Sequence, residues 1–181
     1  MTPGRLIAVV GPSGVGKDTV MRALLQARPE MHLVRRVITR QADAGGEAFD
    51  AVDEAGFRQM AERGAFLLHW EAHGLHYGIP ARVRQILQTG GDAMVNLSRG
   101  VLAEAADRVP RLVVIHLTAD PAVLAARLAE RGREDAPDIA RRLARADSAL
   151  PPGTEAIAID NGGALDDTVA RILAALNPAR V

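Results

Sequence analysis

Residues 9–20 read VVGPSGVGKDTV, an apolar segment that runs into a glycine-rich loop and then into a helical pattern. The spacing is G-x-x-x-x-G-K, with Gly11, Gly16 and Lys17 at the fixed positions. In such a loop, backbone N–H groups bind phosphate oxygens and the lysine reaches the β and γ phosphates of a nucleotide. The predicted nucleotide-binding residues are Gly11, Pro12, Ser13, Gly14, Val15, Gly16, Lys17, Asp18 and Thr19. The alternative is a glycine-rich strand-to-helix turn that holds no ligand.

Asp18 occupies the position at which this loop pattern normally has Ser or Thr. The residue at that position normally helps to hold Mg²⁺, and a carboxylate suits the ion because Mg²⁺ prefers hard oxygen ligands and keeps several waters. Asp18 would therefore bind Mg²⁺ directly or through a water. If the helix begins one residue later, Thr19 takes the metal position instead, and the sequence leaves both choices open.

The composition is that of an ordinary folded domain. The chain has 181 residues, of which 48% are hydrophobic and 24% charged, which argues against a disordered or collagen-like chain. Basic and acidic residues balance at 22 each, so no overall charge draws the chain to nucleic acid or to an anionic membrane. Cysteine is absent, and we expect neither a signal peptide nor a membrane segment. We expect one cytoplasmic domain, whose oligomeric state the composition does not indicate.

Short apolar segments alternate with helical patterns along most of the chain. Strands are predicted at 5–10, 34–38, 93–97, 111–117 and 155–159, and helices at 19–27, 54–63, 80–89, 100–107, 121–131 and 166–176. This alternation predicts parallel βαβ units, and hence an α/β fold in which helices flank a parallel sheet. Asp120 is expected to cap the helix that has Pro121 at its first position. The segment AFLLHWEAHGLHYGIP at 65–80 predicts strands joined by tight turns in a small insert.

Three segments together resemble the guanylate kinase family across nearly the whole chain: the glycine loop, HGLHYGIP at 73–80 and RGRED…IARRL at 131–143. The segments GPSGVGKD, ITRQADAGGE, EAHGLHYGIP and VNLSRG look closer still to the ribose 1,5-bisphosphate phosphokinases of bacterial phosphonate breakdown. An aspartate after the lysine is itself a feature of that group. The resemblance implies a P-loop kinase fold in a single domain, 1–181, with an acceptor-binding insert at about 39–80 and a lid at about 131–141.

The same resemblance implies that ATP phosphorylates the 1-phosphate of ribose 1,5-bisphosphate, giving 5-phosphoribosyl 1-diphosphate and ADP, with Mg²⁺ arriving on ATP. Both partners are then small molecules. Lys17, Arg131 and Arg142 would be catalytic by neutralising charge on the transferred group, and Arg131, Arg133 and Arg142 would lie on the lid. The implied substrate-binding residues are Arg40, Glu47, Tyr77, Asn96, Ser98 and Arg99.

Three departures from guanylate kinases concern the acceptor. Asp43 stands where that family has a second phosphate-binding arginine, and Leu68 stands where it reads guanine with a glutamate. Its acidic LDID segment becomes VNLS at 95–98, with Arg99 next. A leucine accepts no hydrogen bond from guanine, and a site that lacks its partner group rejects the base strongly. These changes favour an acceptor with more phosphate and no purine.

Two other functions compete with this interpretation. The first is a nucleoside monophosphate kinase with altered base choice, which Leu68 and Asp43 weaken. The second is a binding module that has lost catalysis, against which Lys17 and the arginine-rich lid argue because such a module needs neither.

Two clusters of side chains also have simpler interpretations. The lid arginines would form an exposed helix end if they paired with Glu134 and Asp138 along the helix. His69, His73 and His76, with Glu71 among them, suggest a metal site, but their spacing would need a helix to converge. The glycines and the proline of this segment predict turns instead, so we expect no metal there.

Overall fold

The computed structural model describes residues 2–43, 47–132, 135–146 and 149–177. Its larger sheet contains β1 (Leu6–Val10), β2 (His32–Leu33), β7 (Ala93–Asn96), β8 (Leu112–Thr118) and β9 (Ile157–Asp160). These five strands are parallel and lie in the order β2-β7-β1-β8-β9. All five residues of β1 are buried, as expected for the central strand of a sheet that is covered on both faces.

Helices lie between the strands along the chain and pack on the large sheet, on the small sheet or on one another. They are α1 (Lys17–Ala27), α2 (Glu54–Glu62), α3 (Val83–Gln88), α4 (Leu102–Arg108), α5 (Pro121–Glu130), α6 (Ala136–Ala146) and α7 (Leu165–Leu176). A single 3₁₀ turn, Arg99–Val101, precedes α4. The predicted cap of α5 is confirmed, because Oδ1 of Asp120 accepts a hydrogen bond from the Ala122 N–H at 2.8 Å. Within the described ranges, no helix has the length and apolar character needed to cross a membrane.

A second, smaller sheet is formed by β3 (Val37–Ile38), β4 (Asp50–Ala51), β5 (Phe66–Ala72) and β6 (Leu75–Pro80), in the order β4-β3-β6-β5. β5 and β6 are an antiparallel hairpin, and β3 pairs antiparallel with β6. His73 and Gly74 form the hairpin turn with φ values of 56° and 71°, a conformation that glycine adopts without strain. One face of this sheet packs Val37 and Phe66 against Phe57 of α2.

The predicted α/β fold is confirmed, but the single strand predicted over 34–38 is wrong. His32–Leu33 pair with β7 in the large sheet, whereas Val37–Ile38 pair with β6 in the small one. The Val34 N–H still donates to the carbonyl oxygen of Met94, and the carbonyl oxygen of Arg36 already accepts from Asp50. The apolar pattern fits a strand throughout, but the two ends find their hydrogen-bond partners in different sheets.

The two sheets share one apolar core. Leu67, Leu68 and Ile79 of the small sheet belong to the same buried cluster as Ala8 of β1 and Val95 of β7. Helices α1 and α7 pack on the opposite face of the large sheet, over a second cluster that includes Ile7 and Ile115. The small sheet is thereby fixed beside the carboxyl ends of the large sheet's strands, where the glycine loop lies.

Candidate active site

The glycine loop connects β1 to α1, as the sequence predicts. Gly14 and Gly16 have φ values of 83° and 96°, which lie in the left-handed region, and α1 begins directly after Gly16. At Gly11, a Cβ atom would lie 2.6 Å from the carbonyl oxygen of Leu117 on β8, so this position needs glycine for a close approach. The loop therefore wraps around the first turn of α1, where the positive end of the helix dipole favours phosphate.

Lys17 lies at the centre of a concentration of positive charge. Its Nζ donates hydrogen bonds to the carbonyl oxygens of Gly11 at 2.9 Å and Pro12 at 3.2 Å. Burial lowers the pKa of Lys17 to about 8; Asp18 opposes this shift, and the charges of Arg36, Arg99 and Arg131 add to it. These cations come from separate parts of the chain, and together they create a field suited to a polyphosphate.

Asp18 and Thr19 line two different cavities. Thr19 lines a cleft of about 370 Å³ on the α5 and α7 side, whereas Asp18 lines one of about 210 Å³ together with Glu47. Because α1 begins at Lys17, the late start that would place Thr19 at the metal position does not occur. Asp18 therefore lies in the first turn of α1, directly after Lys17.

Two of the predicted lid arginines lie near the glycine loop. Arg131 ends α5 and lines the 370 Å³ cleft. Arg142 lies on α6, where its Nη1 contacts Oγ of Ser13 at 3.4 Å. Asp138 pairs with Arg141, and its pKa is lowered first by the hydrogen bond from Arg141 and, among smaller causes, by the charge of Arg142. Arg133, the third predicted lid arginine, lies outside the described residues.

A polar network behind the loop was missed by the sequence analysis. Nδ2 of Asn161 donates to the carbonyl oxygen of Val15 at 2.7 Å, and Oδ1 of Asn161 accepts from Oγ1 of Thr168 at 2.7 Å. Arg127 donates to the same Val15 oxygen at 3.2 Å and to the carbonyl oxygen of Asn161 at 2.8 Å. The network holds the segment after β9 against the loop. A signal was available, because Asn161 directly follows a strand, where parallel sheets place ligands.

At the end of β3 in the small sheet, Thr39 fixes the chain that leads to Arg40. The Oγ1 of Thr39 accepts from the His76 N–H at 2.8 Å, and the Thr39 N–H donates to the His76 carbonyl oxygen at 3.1 Å. These two bonds fix the chain just after β3. The Arg40 guanidinium then lies over the ring of Phe49, 4.5 Å from its centroid.

Asn96, Ser98 and Arg99 follow β7 at the same edge of the large sheet. Asn96 is the last residue of β7 beside Val9, and Ser98 precedes the 3₁₀ turn that begins at Arg99. Burial lowers the pKa of Arg99. The pKa of His116 on β8 is also lowered, first by burial and then by the charge of Arg99, so the two side chains are close enough for their charges to interact.

Tyr77 belongs to a stack of side chains on the face of the small sheet opposite Phe57, directed towards Asp18 and Lys17. We call this face, which carries Arg36, Trp70 and Tyr77, the wall of the site. Its ring lies parallel to that of Trp70, with centroids 5.4 Å apart. The guanidinium carbon of Arg36 lies 5.0 Å from the Tyr77 centroid, and the same guanidinium pairs with Glu47. Arg36 was not among the predicted site residues. Its signal was its position inside an apolar strand pattern, where a charge needs a reason to be buried.

Comparisons with known proteins agree with this geometry. The family model described as guanylate kinase matches residues 3–178. A ribose 1,5-bisphosphate phosphokinase PhnN of Ruegeria sp. is 49% identical over 98% of this chain and 94% of its own. A bifunctional ribose 1,5-bisphosphokinase-thymidine phosphorylase of Cupriavidus pinatubonensis is 43% identical over 96% of this chain, which spans 29% of that protein. The crystal structure of a guanylate kinase from Anaplasma phagocytophilum superposes with a TM-score of 0.73 at 19% identity, covering 97% of this chain and 85% of its own.

The chain belongs to the guanylate kinase family. Within that family it groups with the ribose 1,5-bisphosphate phosphokinases, as the sequence segments predict. The match to the solved guanylate kinase confirms the P-loop kinase fold. ATP-dependent phosphoryl transfer is the chemistry of this kinase family.

Leu68 and Asp43, two positions at which the sequence departs from the guanylate kinase pattern, both lie within the described residues. Leu68 has no exposed surface and packs in the core with Ile79. Asp43 is exposed, whereas the buried cation on this wall is Arg36. Arg36 therefore supplies a buried positive charge on the small sheet, although the sequence has Asp43 and not a second arginine in the segment after Arg40.

Proposed function

We propose that the protein transfers the γ-phosphoryl group of ATP to the 1-phosphate of ribose 1,5-bisphosphate, forming 5-phosphoribosyl 1-diphosphate and ADP. The observation that carries this proposal is the set of acceptor-side cations, Arg36, Arg40 and Arg99, beside a wall sealed by Leu68. An acceptor rich in phosphate and free of purine suits this charge. Two relatives named ribose 1,5-bisphosphate phosphokinase, 49% and 46% identical to this chain, support the same acceptor. We further propose that it serves phosphonate breakdown in the cytoplasm.

The chemistry needs alignment more than proton transfer. An oxygen of the acceptor's 1-phosphate is already anionic, so it attacks the γ-phosphorus without a strong general base. A new P–O bond forms on the acceptor as the bond to the ADP oxygen breaks, and the electrons remain with ADP. Lys17, Arg131 and Arg142 would neutralise charge on the group in transit.

Mg²⁺ fits the residues at the start of α1. Asp18 supplies a carboxylate oxygen in the first turn, beside Lys17, and such an oxygen is the ligand type that Mg²⁺ prefers. When bound, the ion would neutralise the charge of the donor phosphates. We propose that Asp18 holds it, directly or through a water, while the loop orients the phosphate chain.

The donor nucleoside would lie in the 370 Å³ cleft between α5 and the segment after β9. Arg127 and Asn161 line this cleft and already fix the back of the loop, so they would position the nucleoside relative to the phosphates. We propose that about 39–80 serves as the acceptor-binding insert and that about 131–141 closes over the phosphates as a lid. Glu47, Tyr77, Asn96 and Ser98 would contribute to the acceptor site.

An acceptor screen tests the proposal. The purified protein is given ATP and Mg²⁺ with ribose 1,5-bisphosphate, GMP or AMP, and ADP release is measured together with the product by ³¹P NMR. We expect ribose 1,5-bisphosphate to exceed GMP by a wide margin in kcat/KM, since each guanine N–H left unpaired costs about 1–3 kcal/mol. Comparable kcat/KM for GMP would return the protein to the nucleoside monophosphate kinases.

Arg99→Ala extends the same screen. It should lower kcat/KM for ribose 1,5-bisphosphate by about 10- to 100-fold, because a charge-assisted bond to phosphate is lost. Arg111→Ala is the matched control, since Arg111 is exposed and directly precedes β8, at the end of the sheet away from the loop. Equal effects of the two substitutions would remove Arg99 from the acceptor site.

A further inference from the structure

Arg36 is a buried cation on the acceptor side. It is 8% exposed and directly precedes β3. The next residue, Val37, packs against Phe57 on the far face of the small sheet, so the alternation of the strand directs Arg36 to the opposite face. Its guanidinium lies over Tyr77 on that face, and Tyr77 in turn stacks on Trp70. Arg36 is therefore built into the wall and is not a solvated surface charge.

The hydrogen-bonding capacity of this guanidinium is only partly used. One nitrogen, Nη2, donates to Oε1 of Glu47. The Nε is buried and has no hydrogen-bond partner within the described part of the chain. A buried donor without a partner destabilises the folded state, and a bound ion or ligand is one of the explanations for such a group in a folded protein. Arg36 therefore has spare donors for an anion.

The side chains around Arg36 carry a net positive charge that an anion would balance. Lys17 at the start of α1 and Arg40 beyond β3 add positive charge, whereas Glu47 and Asp18 supply the negative charge. Burial lowers the pKa of Arg36 to about 10, opposed by Tyr77 and Asp18, so the side chain keeps its charge at neutral pH. The cations thus exceed the carboxylates at this point, and a phosphate would balance them.

We propose that Arg36 is a specificity-determining residue that binds the 5-phosphate of the acceptor, and that Glu47 holds its guanidinium until the acceptor arrives. This inference rests on the proposed function. The 1-phosphate must reach the γ-phosphate at Lys17, whose surroundings also include Arg99 and Arg131. Among the described residues, Arg36 is the one arginine that is buried. A buried cation suits the 5-phosphate, because this phosphate stays bound in one place while the 1-phosphate reacts.

Binding would be an exchange of anions. Glu47 lines the 210 Å³ cavity together with Asp18, whereas Arg36 is not part of that lining, so a phosphate that enters from this cavity would have to displace the Glu47 carboxylate to become the partner of Arg36. The planar guanidinium fork accommodates two phosphate oxygens, whereas a lysine at the same position would offer a point charge only. The buried charge is therefore compensated both before and after the acceptor binds.

Trp70 offers a direct measurement, because it is the only tryptophan of the chain and lies one ring away from Arg36. Its fluorescence is titrated, without ATP, with ribose 1,5-bisphosphate and with ribose 1-phosphate, which lacks the 5-phosphate. Arg36→Met and Arg36→Lys are compared with the parent protein. Arg5→Met is the matched control, since Arg5 is a half-buried arginine paired with Asp92 at the opposite end of β1.

We expect Arg36→Met to weaken binding of ribose 1,5-bisphosphate by about 10- to 100-fold, and Arg36→Lys to weaken it less. Binding of ribose 1-phosphate should stay within about threefold for both variants. The kcat/KM values for the two acceptors should follow the same pattern, and the KM for ATP should not change. Arg5→Met should lower thermal stability and leave acceptor binding unchanged.

An equal loss for both acceptors would overturn the inference, because it would mean that Arg36 only supports the wall. Unchanged binding of the bisphosphate would overturn it as well. Failure of the proposed function has a different signature, namely a parent protein that does not form 5-phosphoribosyl 1-diphosphate at all. The fluorescence titration requires no turnover, so it reports on Arg36 whenever the parent protein binds the bisphosphate, and a parent that does not bind it would overturn both proposals.

Discussion

The side-chain amide of Asn161 donates a hydrogen bond to the carbonyl oxygen of Val15 at 2.7 Å, and both groups are buried. The bond joins the segment after the last strand to the glycine loop that follows the first, across 146 positions of sequence. The shape of the loop therefore depends on a residue near the other end of the chain.

Asn161→Leu should lower the free energy of unfolding by about 1–3 kcal/mol, because it removes two buried hydrogen bonds and leaves the Val15 carbonyl with Arg127 alone and the Thr168 hydroxyl with the Ala164 carbonyl alone. It should also raise the KM for ATP, since the loop loses its support. Thr168→Val removes only the hydroxyl and should cost about 1 kcal/mol with little change in KM. Chemical denaturation and steady-state kinetics provide the two measurements. Equal effects of both substitutions on KM would contradict a role for Asn161 in shaping the loop.

Lys17 should couple nucleotide binding to proton uptake. Its pKa in the folded protein is about 8 against an ordinary value of 10.5, so at pH 8 a substantial fraction of the empty protein lacks this proton. The phosphates of ATP favour the charged lysine, so binding at pH 8 should take up to about half a proton, and binding at pH 6.5 almost none. Calorimetry in buffers of different ionisation enthalpy measures the uptake, and Lys17→Met should abolish it.

The same pKa shift predicts in which direction the free energy of unfolding changes with pH. Between pH 8 and pH 10.5 the unfolded chain holds the Lys17 proton and the folded chain has released it, so this group makes the protein more stable as the pH rises through that window. Lys17→Met removes this dependence, and it should reduce turnover by orders of magnitude without unfolding the protein. Retained turnover in Lys17→Met would exclude the loop from the mechanism.

Asp18 should set the Mg²⁺ requirement. Asp18→Ala removes the proposed carboxylate ligand at the first turn of α1 and should raise the Mg²⁺ concentration for half-maximal rate, with a milder effect for Asp18→Ser. Thr19→Ala is the control, because Thr19 lines the other cavity. If the two Asp18 variants keep the Mg²⁺ dependence of the parent, the ion is held by Thr19 or by the substrates alone.

Arg142 and Arg141 provide a matched pair on α6. Arg142 reaches Ser13 of the glycine loop, whereas its neighbour is exposed and paired with Asp138. Arg142→Ala should lower kcat by about 10- to 1,000-fold if it neutralises the transferring group, and Arg141→Ala should have no measurable effect on kcat. Steady-state turnover under saturating ATP compares them. Similar kcat values for the two variants would show that α6 takes no part in the reaction.

The sequence predicts best what is encoded locally. The strand, loop and helix around Gly11 and Lys17 follow from spacing and periodicity, and the cap at Asp120 follows from one side chain and the proline after it. Residues that follow parallel strands, such as Arg99, were also identifiable because such strands end at a common edge.

What the sequence did not predict depends on distant partners. The stretch 34–38 has a continuous strand pattern, yet its two ends form hydrogen bonds with strands of different sheets. The pairing depends on where β7 and β6 lie in the fold and not on local strand propensity. Arg36 and Asn161 were missed for a related reason. The pair Arg36–Glu47 and the bond from Asn161 to Val15 arise only when the chain is folded, and neither leaves a pattern of spacing in the sequence.

The core that Leu67, Leu68 and Ile79 share with the central strands constrains how new substrate preferences arise in this protein. An exchange of the whole insert with that of a nucleotide kinase would replace part of the common core, so such chimeras should suffer from poor folding before their selectivity is known. Point substitutions on the exposed face of the wall avoid this cost. Selectivity for the acceptor can therefore change by single steps at polar positions while the scaffold stays constant.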